Sequence, residues 1–173
     1  QILRPKFYEQ GSKIHEKQIE VGCRNFGNIL QKNDIDYGLN LTCPCQEKSF
    51  ILNYRNEILN QFDLKYNQQH NDNLFVHVRL GDCIRANRVP SIDYYIKAIE
   101  QTRFNKGYIS SDTPSHQIVT QLINKFDLTL YGNQPVETIN FAKDFGNLVL
   151  SKGTFSWWMG FLSKAGSVFY PKG

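Results

Sequence analysis

The chain has 173 residues, of which 40% are hydrophobic and 13% aromatic, and a formal net charge of +4. This length and composition indicate one globular domain, or one domain with a small appendage, and exclude a large two-domain enzyme. The 20 basic residues exceed the 16 acidic ones too slightly to indicate a nucleic-acid partner. No window approaches the roughly 18 consecutive apolar residues of a membrane span, so we expect no span within this chain.

The start of the chain and its cysteines give information about the cellular compartment of the protein. The sequence begins at Gln1 without a Met or a signal-like apolar stretch, so we expect upstream sequence, in which a membrane anchor remains open. Asn40 begins a formal N-glycosylation sequon. The cysteines suit either free thiols or disulfides of undetermined pairing, and their spacing does not predict a metal site. They are Cys23, Cys43, Cys45 and Cys83.

The first part of the chain, residues 1–73, is weakly patterned and rich in Asn, Gln and Lys. Apolar residues at helical spacing predict one helix over about 49–62, with Ser49 as its N-cap. The polar run 67–73 predicts a loop. We therefore predict an irregular, partly helical N-terminal segment, 1–73, followed by a regular domain, 74–173.

The second part alternates strand-like and helical patterns. We predict strands at 74–79, 107–110, 127–131, 147–150 and 167–170, and helices at about 91–103, 115–126, 136–144 and 154–164. These β-α-β crossovers indicate an α/β fold, a Rossmann-like parallel sheet with helices on both faces. The carboxyl ends of all strands then lie along one rim, where such proteins bind ligands.

The first rim segment is His77-Val78-Arg79-Leu80-Gly81-Asp82. The period of two places Phe75, His77 and Arg79 on one face of the strand. Arg79 suits two-pronged binding of a diphosphate oxygen, His77 suits holding the same group, and Asp82 suits orienting either residue or contacting an acceptor. The alternative is an Arg79–Asp82 salt bridge within the loop, with His77 a satisfied core residue.

The second rim segment is Gly107-Tyr108-Ile109-Ser110-Ser111-Asp112. The hydroxyls of Ser110 and Ser111 and the carboxylate of Asp112 suit a base edge or a ribose hydroxyl. The alternative is that Asp112 or Thr113 caps a helix that Pro114 begins.

The third rim segment runs from Leu148 to Trp158 and contains a predicted helix start at Thr154. The free N–H groups of residues 155–157, the hydroxyls of Thr154 and Ser156, and the nearby Gly153 suit a phosphate. Aromatic and apolar residues follow at helical spacing, which favours core packing over a stacking platform. These are Phe155, Trp158 and Phe161 or Leu162.

In this order the segments resemble the motifs of the α-1,2-fucosyltransferases, glycosyltransferase family 11. The family's first motif, His-x-Arg-Arg-Gly-Asp with a following Tyr-Tyr-x-x-Ala-Ile helix, is similar to residues 77–82 and to Tyr94-Tyr95-Ile96-Lys97-Ala98-Ile99. The second is similar to Ser110-Ser111-Asp112 and the third to 153–158, with 159–162 continuing it. The resemblance covers about residues 74–172.

The resemblance implies the nucleotide-sugar half of a GT-B glycosyltransferase. It implies inverting, metal-independent transfer of L-fucose from GDP-fucose, the donor substrate, to a galactoside hydroxyl in α-1,2 linkage, with no cofactor. Arg79 then binds the β-phosphate and stabilises departing GDP, with His77 and Asp82 as the other catalytic candidates. The implied GDP-fucose-binding residues are His77, Arg79, Ser110, Ser111, Asp112, Gly153, Thr154, Phe155 and Ser156.

The chain departs from the family in two ways. Leu80 stands where the family has a second Arg, a role for which Arg85, Arg88 or Lys152 are substitutes. The family's Gly-Gly-Leu-Gly-Asn-Gln segment is missing and its members are longer. The resemblance therefore implies a fragment or a reduced form, with residues 1–73 a remnant or part of an acceptor-side domain.

Two alternatives remain open beside an active transferase. One is an inactive GDP-sugar-binding module, and the other is a doubly wound domain used for protein contacts. With the sequon and the even number of cysteines, the resemblance favours protein glycosylation in the Golgi lumen, with an upstream membrane anchor, for a eukaryotic source. A bacterial or viral source implies the cytoplasm.

Overall fold

The computed structural model describes residues 18–21, 38–41, 55–61, 66 and 71–172. The chain divides into two compact units, Gln1–Asp63 and Leu64–Gly173. The boundary predicted from the sequence lies later, after residue 73.

In the first unit, β1 (Gln18–Val21) pairs in parallel with β2 (Gly38–Leu41), and α1 spans Arg55–Gln61. The sequence prediction missed both strands, because two four-residue strands among polar residues give no extended period-two pattern. Helix α1 lies within the predicted helix, whose proposed cap, Ser49, lies outside the described residues.

The second unit contains every strand and helix predicted from the sequence, with ends that differ by a few residues. Its strands are β3 (Leu74–Val78), β4 (Gly107–Ser111), β5 (Thr129–Leu130), β6 (Asn147–Val149) and β7 (Ser167–Phe169). Its helices are α2 (Gly81–Arg85), α3 (Ile92–Glu100), α4 (Gln117–Phe126), α5 (Pro135–Ala142) and α6 (Thr154–Leu162). The short α2 was not predicted, because five residues are too few to show helical periodicity.

The five strands of this unit form one all-parallel sheet in the order β5-β4-β3-β6-β7. This confirms the predicted α/β, Rossmann-like fold. The chain proceeds outward from the central β3 to β5 and then crosses back to β6 on the other side of β3. The strand order therefore reverses between β3 and β6, which is where doubly wound sheets open a ligand-binding crevice.

The two faces of the sheet bury separate apolar clusters. On one face Val76 and Val78 of β3 pack with residues of α3 and α4, such as Tyr95 and Leu122. On the other, Phe75 packs with residues of α5 and α6 and with the adjoining Phe145. Phe75 is fully buried and makes edge contacts with Tyr131, Phe141 and Phe145, at centroid distances of 6.1, 6.0 and 5.6 Å. The alternation along β3 thus sends Leu74, Val76 and Val78 to one cluster and Phe75 to the other.

Side chains and backbone geometry fix the ends of the helices around the site. The Ser91 side chain accepts a hydrogen bond from the Tyr94 N–H and begins α3. Helix α4 is capped by His116, which accepts from the Ile118 N–H at 3.2 Å. The alternative that Asp112 or Thr113 caps this helix is therefore wrong, because α4 begins at Gln117.

Candidate functional site

Arg79 follows β3 at the rim, and its side chain is 40% exposed. Its Nε and Nη2 donate to Asp82 Oδ1 at 3.1 and 2.7 Å, and Nε lies 3.3 Å from Asp112 Oδ2. The hydrogen bond with Asp82 raises the pKa of Arg79 and lowers that of Asp82. The predicted salt bridge therefore forms, and it leaves the Nη1 donors of Arg79 outside these bonds.

Asp112 ties the end of β4 to the end of β3. Its Oδ1 accepts from the Leu80 N–H at 2.8 Å, while Oδ2 faces Arg79. A Cβ added to Gly81 would lie 2.6 Å from Asp112 Oδ2, so this approach requires the glycine. The carboxylate holds the β3 loop and orients the guanidinium, and its contact with a ribose or a base stays a prediction.

His77 lies on the face of β3 that looks towards α6. It is 5% exposed, its Nδ1 is 2.6 Å from Ser156 Oγ, and its ring centroid is 5.1 Å from that of Phe155. Burial lowers the pKa of His77 to about 4, against a smaller opposing effect of Asp112. His77 is therefore neutral at pH 7, and it can offer a hydrogen bond but no positive charge to a ligand.

Ser110 is the register partner of His77 on β4, and both belong to the same face of the sheet. It is 6% exposed, and its Oγ has no hydrogen-bond partner among the residues that the structure describes. Buried hydroxyls are nearly always paired, and a lost partner costs about 1–3 kcal/mol. The neighbouring Ser111 differs, since its Oγ accepts from the Thr113 N–H at 3.1 Å.

Helix α6 begins directly at the rim. Gly153 precedes it with a φ of 115°, a conformation that favours glycine, and no side chain of the described residues caps the helix. The Trp157 N–H donates to the Gly153 carbonyl at 3.0 Å, so the free N–H groups are those of 154–156 rather than the predicted 155–157. The hydroxyl of Ser156 is directed to His77, and Thr154 is exposed.

The aromatic residues of α6 contribute to packing. Phe155 packs against the Phe75 cluster, and Leu162 is buried. Trp157 stacks on Phe161 at a centroid distance of 5.1 Å and an interplanar angle of 13°, and Trp158 meets Phe161 edge-on. These contacts agree with the prediction that the aromatic and apolar residues of this helix pack in the core.

The residue that follows Arg79 is a fully buried leucine. Leu80 packs in the cluster under α3 and α4. Of the three candidate substitutes, Arg88 lies near enough to Asp82 to contribute to its lowered pKa, Arg85 ends α2 in an exposed position, and Lys152 is half-buried before Gly153.

A further hydroxyl at the rim, that of Ser151, was given no role by the sequence. Ser151 is fully buried; its Oγ accepts from Tyr95 OH at 2.9 Å and donates to the Arg79 carbonyl at 3.5 Å. The signal that points to it is a small polar residue directly after an apolar strand. Four segments thus meet at the crevice, the ends of β3, β4 and β6 and the start of α6.

Other expectations concern metals, membranes and thiols. Within the described residues, no group of three His, Cys, Asp or Glu side chains is arranged to hold a metal ion. No helix in this part of the chain has the length and apolarity to cross a bilayer. Cys83 is buried and free, whereas Cys23, Cys43 and Cys45 lie outside the described ranges.

The buried His77 predicts a pH dependence of stability. Burial lowers its pKa to about 4 in the folded chain, from the ordinary histidine value of 6.5. The unfolded state then binds more protons between these values, so stability falls as the pH falls from 6.5 to 4. The contribution of His77 should decrease by about 2 kcal/mol between pH 7 and pH 5. Urea unfolding at both pH values measures this loss, and His77→Gln should reduce it; equal losses in both proteins would contradict the burial of a neutral imidazole.

The Arg79–Asp82 pair predicts competition with an anionic ligand. Because the exposed Asp82 is hydrogen-bonded to the guanidinium, Asp82→Asn should strengthen binding of an anionic ligand at Arg79 a few-fold, and the gain should shrink in high salt. Isothermal titration of GDP measures it. Asp93→Asn, which removes an exposed charge in the first turn of α3, is the matched control. Weaker binding by Asp82→Asn would instead show that Asp82 orients Arg79 for the ligand.

The chain was also compared with known proteins. No protein-family model, no curated protein and no solved structure matches it.

Proposed function

We propose that this chain binds GDP-fucose at the rim of the sheet and transfers L-fucose to a galactoside hydroxyl in α-1,2 linkage. The observation that carries the proposal is the convergence of Arg79, the His77–Ser156 pair and the uncapped start of α6 at the crevice between β3 and β6. In this proposal the second unit is the nucleotide-sugar half of a GT-B enzyme acting in the Golgi lumen.

The diphosphate is the part of the donor that these groups suit best. The Nη1 donors of Arg79 are outside its bonds to Asp82 and Asp112, so they can face a phosphate oxygen while the ion pair persists. The N–H groups of residues 154–156 have no intrahelical acceptor and carry the positive end of the α6 dipole. One guanidinium and one helix N-terminus therefore supply the positive potential, and Thr154 adds a hydroxyl.

The neutral residues suit a neutral part of the donor. His77 has no charge at pH 7, and the Oγ of Ser110 lacks a partner among the described residues. A ligand hydroxyl or ring edge that reaches Ser110 would restore its missing hydrogen bond at no cost in charge burial. In the proposed function, His77 and Ser110 thus contact the fucose or the nucleoside rather than neutralise the phosphates.

The proposed transfer is a single displacement at C1 of fucose. The acceptor hydroxyl oxygen forms the new bond to C1 as the bond from C1 to the β-phosphate oxygen breaks, and its electron pair leaves with GDP. Arg79 and the α6 N-terminus stabilise the charge that develops on the departing phosphate. The acceptor proton passes to a general base, a role that we assign to no described residue. The configuration at C1 inverts, and no metal takes part.

The burial of Leu80 favours a second function, the binding of GDP-fucose without transfer. Because this side chain is fully buried, the loop after β3 presents one arginine where the family has two. One guanidinium neutralises a leaving diphosphate less completely, which fits a module that binds GDP-fucose without transferring it.

One assay separates these functions. We expect GDP release from GDP-fucose to require a β-galactoside acceptor, with the fucosylated galactoside as the second product. A reaction without acceptor measures hydrolysis. Binding of GDP-fucose without acceptor-dependent GDP release identifies the module. Absence of any binding rejects both nucleotide functions and leaves a doubly wound domain used for protein contacts.

A further inference from the structure

Two adjacent tyrosines of α3 bind the carboxyl end of β6. The Tyr94 hydroxyl donates to the Leu150 carbonyl at 2.8 Å, and the Tyr95 hydroxyl donates to Ser151 Oγ at 2.9 Å. Tyr95 and Ser151 are both fully buried, so neither hydroxyl exchanges its partner for water. Burial raises the pKa of Tyr95 to about 12, which keeps its hydroxyl a donor at neutral pH.

A second hydrogen bond links Ser151 to the main chain of Arg79. Because Tyr95 donates its proton to Ser151 Oγ, the hydrogen of Ser151 is free for a second acceptor. That acceptor is the Arg79 carbonyl, whose oxygen lies 3.5 Å from Ser151 Oγ, a long and therefore weak hydrogen bond. The chain of two hydroxyls therefore joins α3, β6 and the residue that follows β3.

The sheet itself does not make this connection. Pairing between β3 and β6 covers Leu74–Val76 and stops, whereas pairing between β3 and β4 continues to Val78. Arg79 lies beyond both ladders, at the place where the strand order reverses. On the β6 side, the Ser151 hydroxyl lies at long hydrogen-bond distance from the Arg79 carbonyl, beyond the last ladder pair of β3 and β6.

We propose that Tyr95 and Ser151 are positioning residues that direct Arg79 at the β-phosphate of a bound nucleotide. The inference rests on the proposed function, because it assumes that Arg79 binds this phosphate. Asp112 orients the guanidinium from the β4 side, and the Tyr95–Ser151 pair fixes the main chain from the β6 side. Because the guanidinium lies several bonds from the main chain, a small rotation of the main chain displaces the guanidinium by a larger distance.

The test compares affinity for GDP with affinity for GMP, which lacks the β-phosphate. The GDP-to-GMP ratio isolates the contact that Arg79 makes. Tyr95→Phe removes the hydroxyl and keeps the ring, and it should lower the ratio by about two- to tenfold while GMP affinity is unchanged. Tyr94→Phe is the matched control, with the same change at the neighbouring position. Its hydroxyl binds Leu150 rather than the Arg79 chain, so the ratio should remain that of the wild type.

A second variant guards against a folding defect in the first. Ser151→Ala removes the middle of the chain and should lower the ratio as Tyr95→Phe does, and the double variant should show no additional loss because the two hydroxyls act in series. A lower melting temperature with an unchanged ratio in both single variants would overturn the inference. If the wild type itself does not prefer GDP over GMP, the proposed function fails, and the inference fails with it.

Discussion

Arg79→Ala should weaken GDP binding by about 1.5–3 kcal/mol, the range for a hydrogen bond to a charged partner, or roughly 10- to 150-fold in Kd. The guanidinium lies at the rim, is 40% exposed and retains donors outside its ion pairs with Asp82 and Asp112. Removing it takes the arginine charge from the crevice and leaves the fold intact, because the side chain contributes little to the buried clusters. Isothermal titration measures the affinity, and thermal unfolding measures the stability.

The matched control is another arginine of the same unit. Arg103 lies near the amino ends of the strands, opposite the rim. Its carbonyl accepts a hydrogen bond there from the side chain of Asn147, the first residue of β6. Arg103→Ala should leave GDP affinity unchanged. If Arg79→Ala instead retains wild-type affinity and lowers stability, the arginine serves only its salt bridge, and the β-phosphate assignment is wrong.

Phe75→Ala should destabilise the second unit by about 3–5 kcal/mol. Phe75 is fully buried in β3, the central strand of the sheet, and meets three aromatic rings, Tyr131, Phe141 and Phe145, in edge contacts. Truncation to alanine loses these contacts and leaves a cavity that close-packed rings cannot fill. Urea unfolding followed by circular dichroism measures the change.

The control for this prediction is an exposed apolar residue. Val136 in α5 is 71% exposed, so Val136→Ala should change stability by less than about 0.5 kcal/mol. A loss below about 1 kcal/mol for Phe75→Ala would contradict the aromatic cluster as the core of this face.

The period-two pattern of β3 predicted much of the site. It placed Phe75, His77 and Arg79 on one face. In the structure Phe75 packs against α5 and α6 and His77 against α6, whereas Arg79, beyond the end of β3, pairs with Asp82 and Asp112. The β-α-β alternation predicted that the ends of β3, β4 and β6 share a rim, which follows from a parallel sheet whatever the order of its strands. Local patterns sufficed because burial decides which face each residue takes.

The contacts between side chains at the rim could not be predicted from the sequence, because they depend on the order of the strands in the sheet. Nothing local indicates that β6 lies beside β3, and therefore that Ser156 meets His77 or that Ser151 meets Arg79. Asp112 was expected to face a ligand or cap a helix. It does not cap α4, and its Oδ1 accepts a hydrogen bond from the Leu80 N–H, since Gly81 allows the two loops to approach; its contact with a ligand stays a prediction.

The ends of the helices and strands were likewise predictable from the sequence only in part. Ser91 has the residue type and position of a cap, and it caps α3 as such residues do. His116 caps α4 through a ring nitrogen, which propensity alone does not indicate. Asp127, with a φ of 52°, ends α4 in the left-handed conformation, so β5 is shorter than the predicted strand 127–131.

The central claim is that the crevice between β3 and β6 binds the diphosphate of a guanosine nucleotide sugar. Isothermal titration of GDP into the wild-type chain tests it most directly, with guanosine as the comparison ligand. The account predicts saturable binding of one GDP per chain and much weaker binding of guanosine. Absence of heat and of any thermal shift with GDP, or equal affinity for GDP and guanosine, would contradict it.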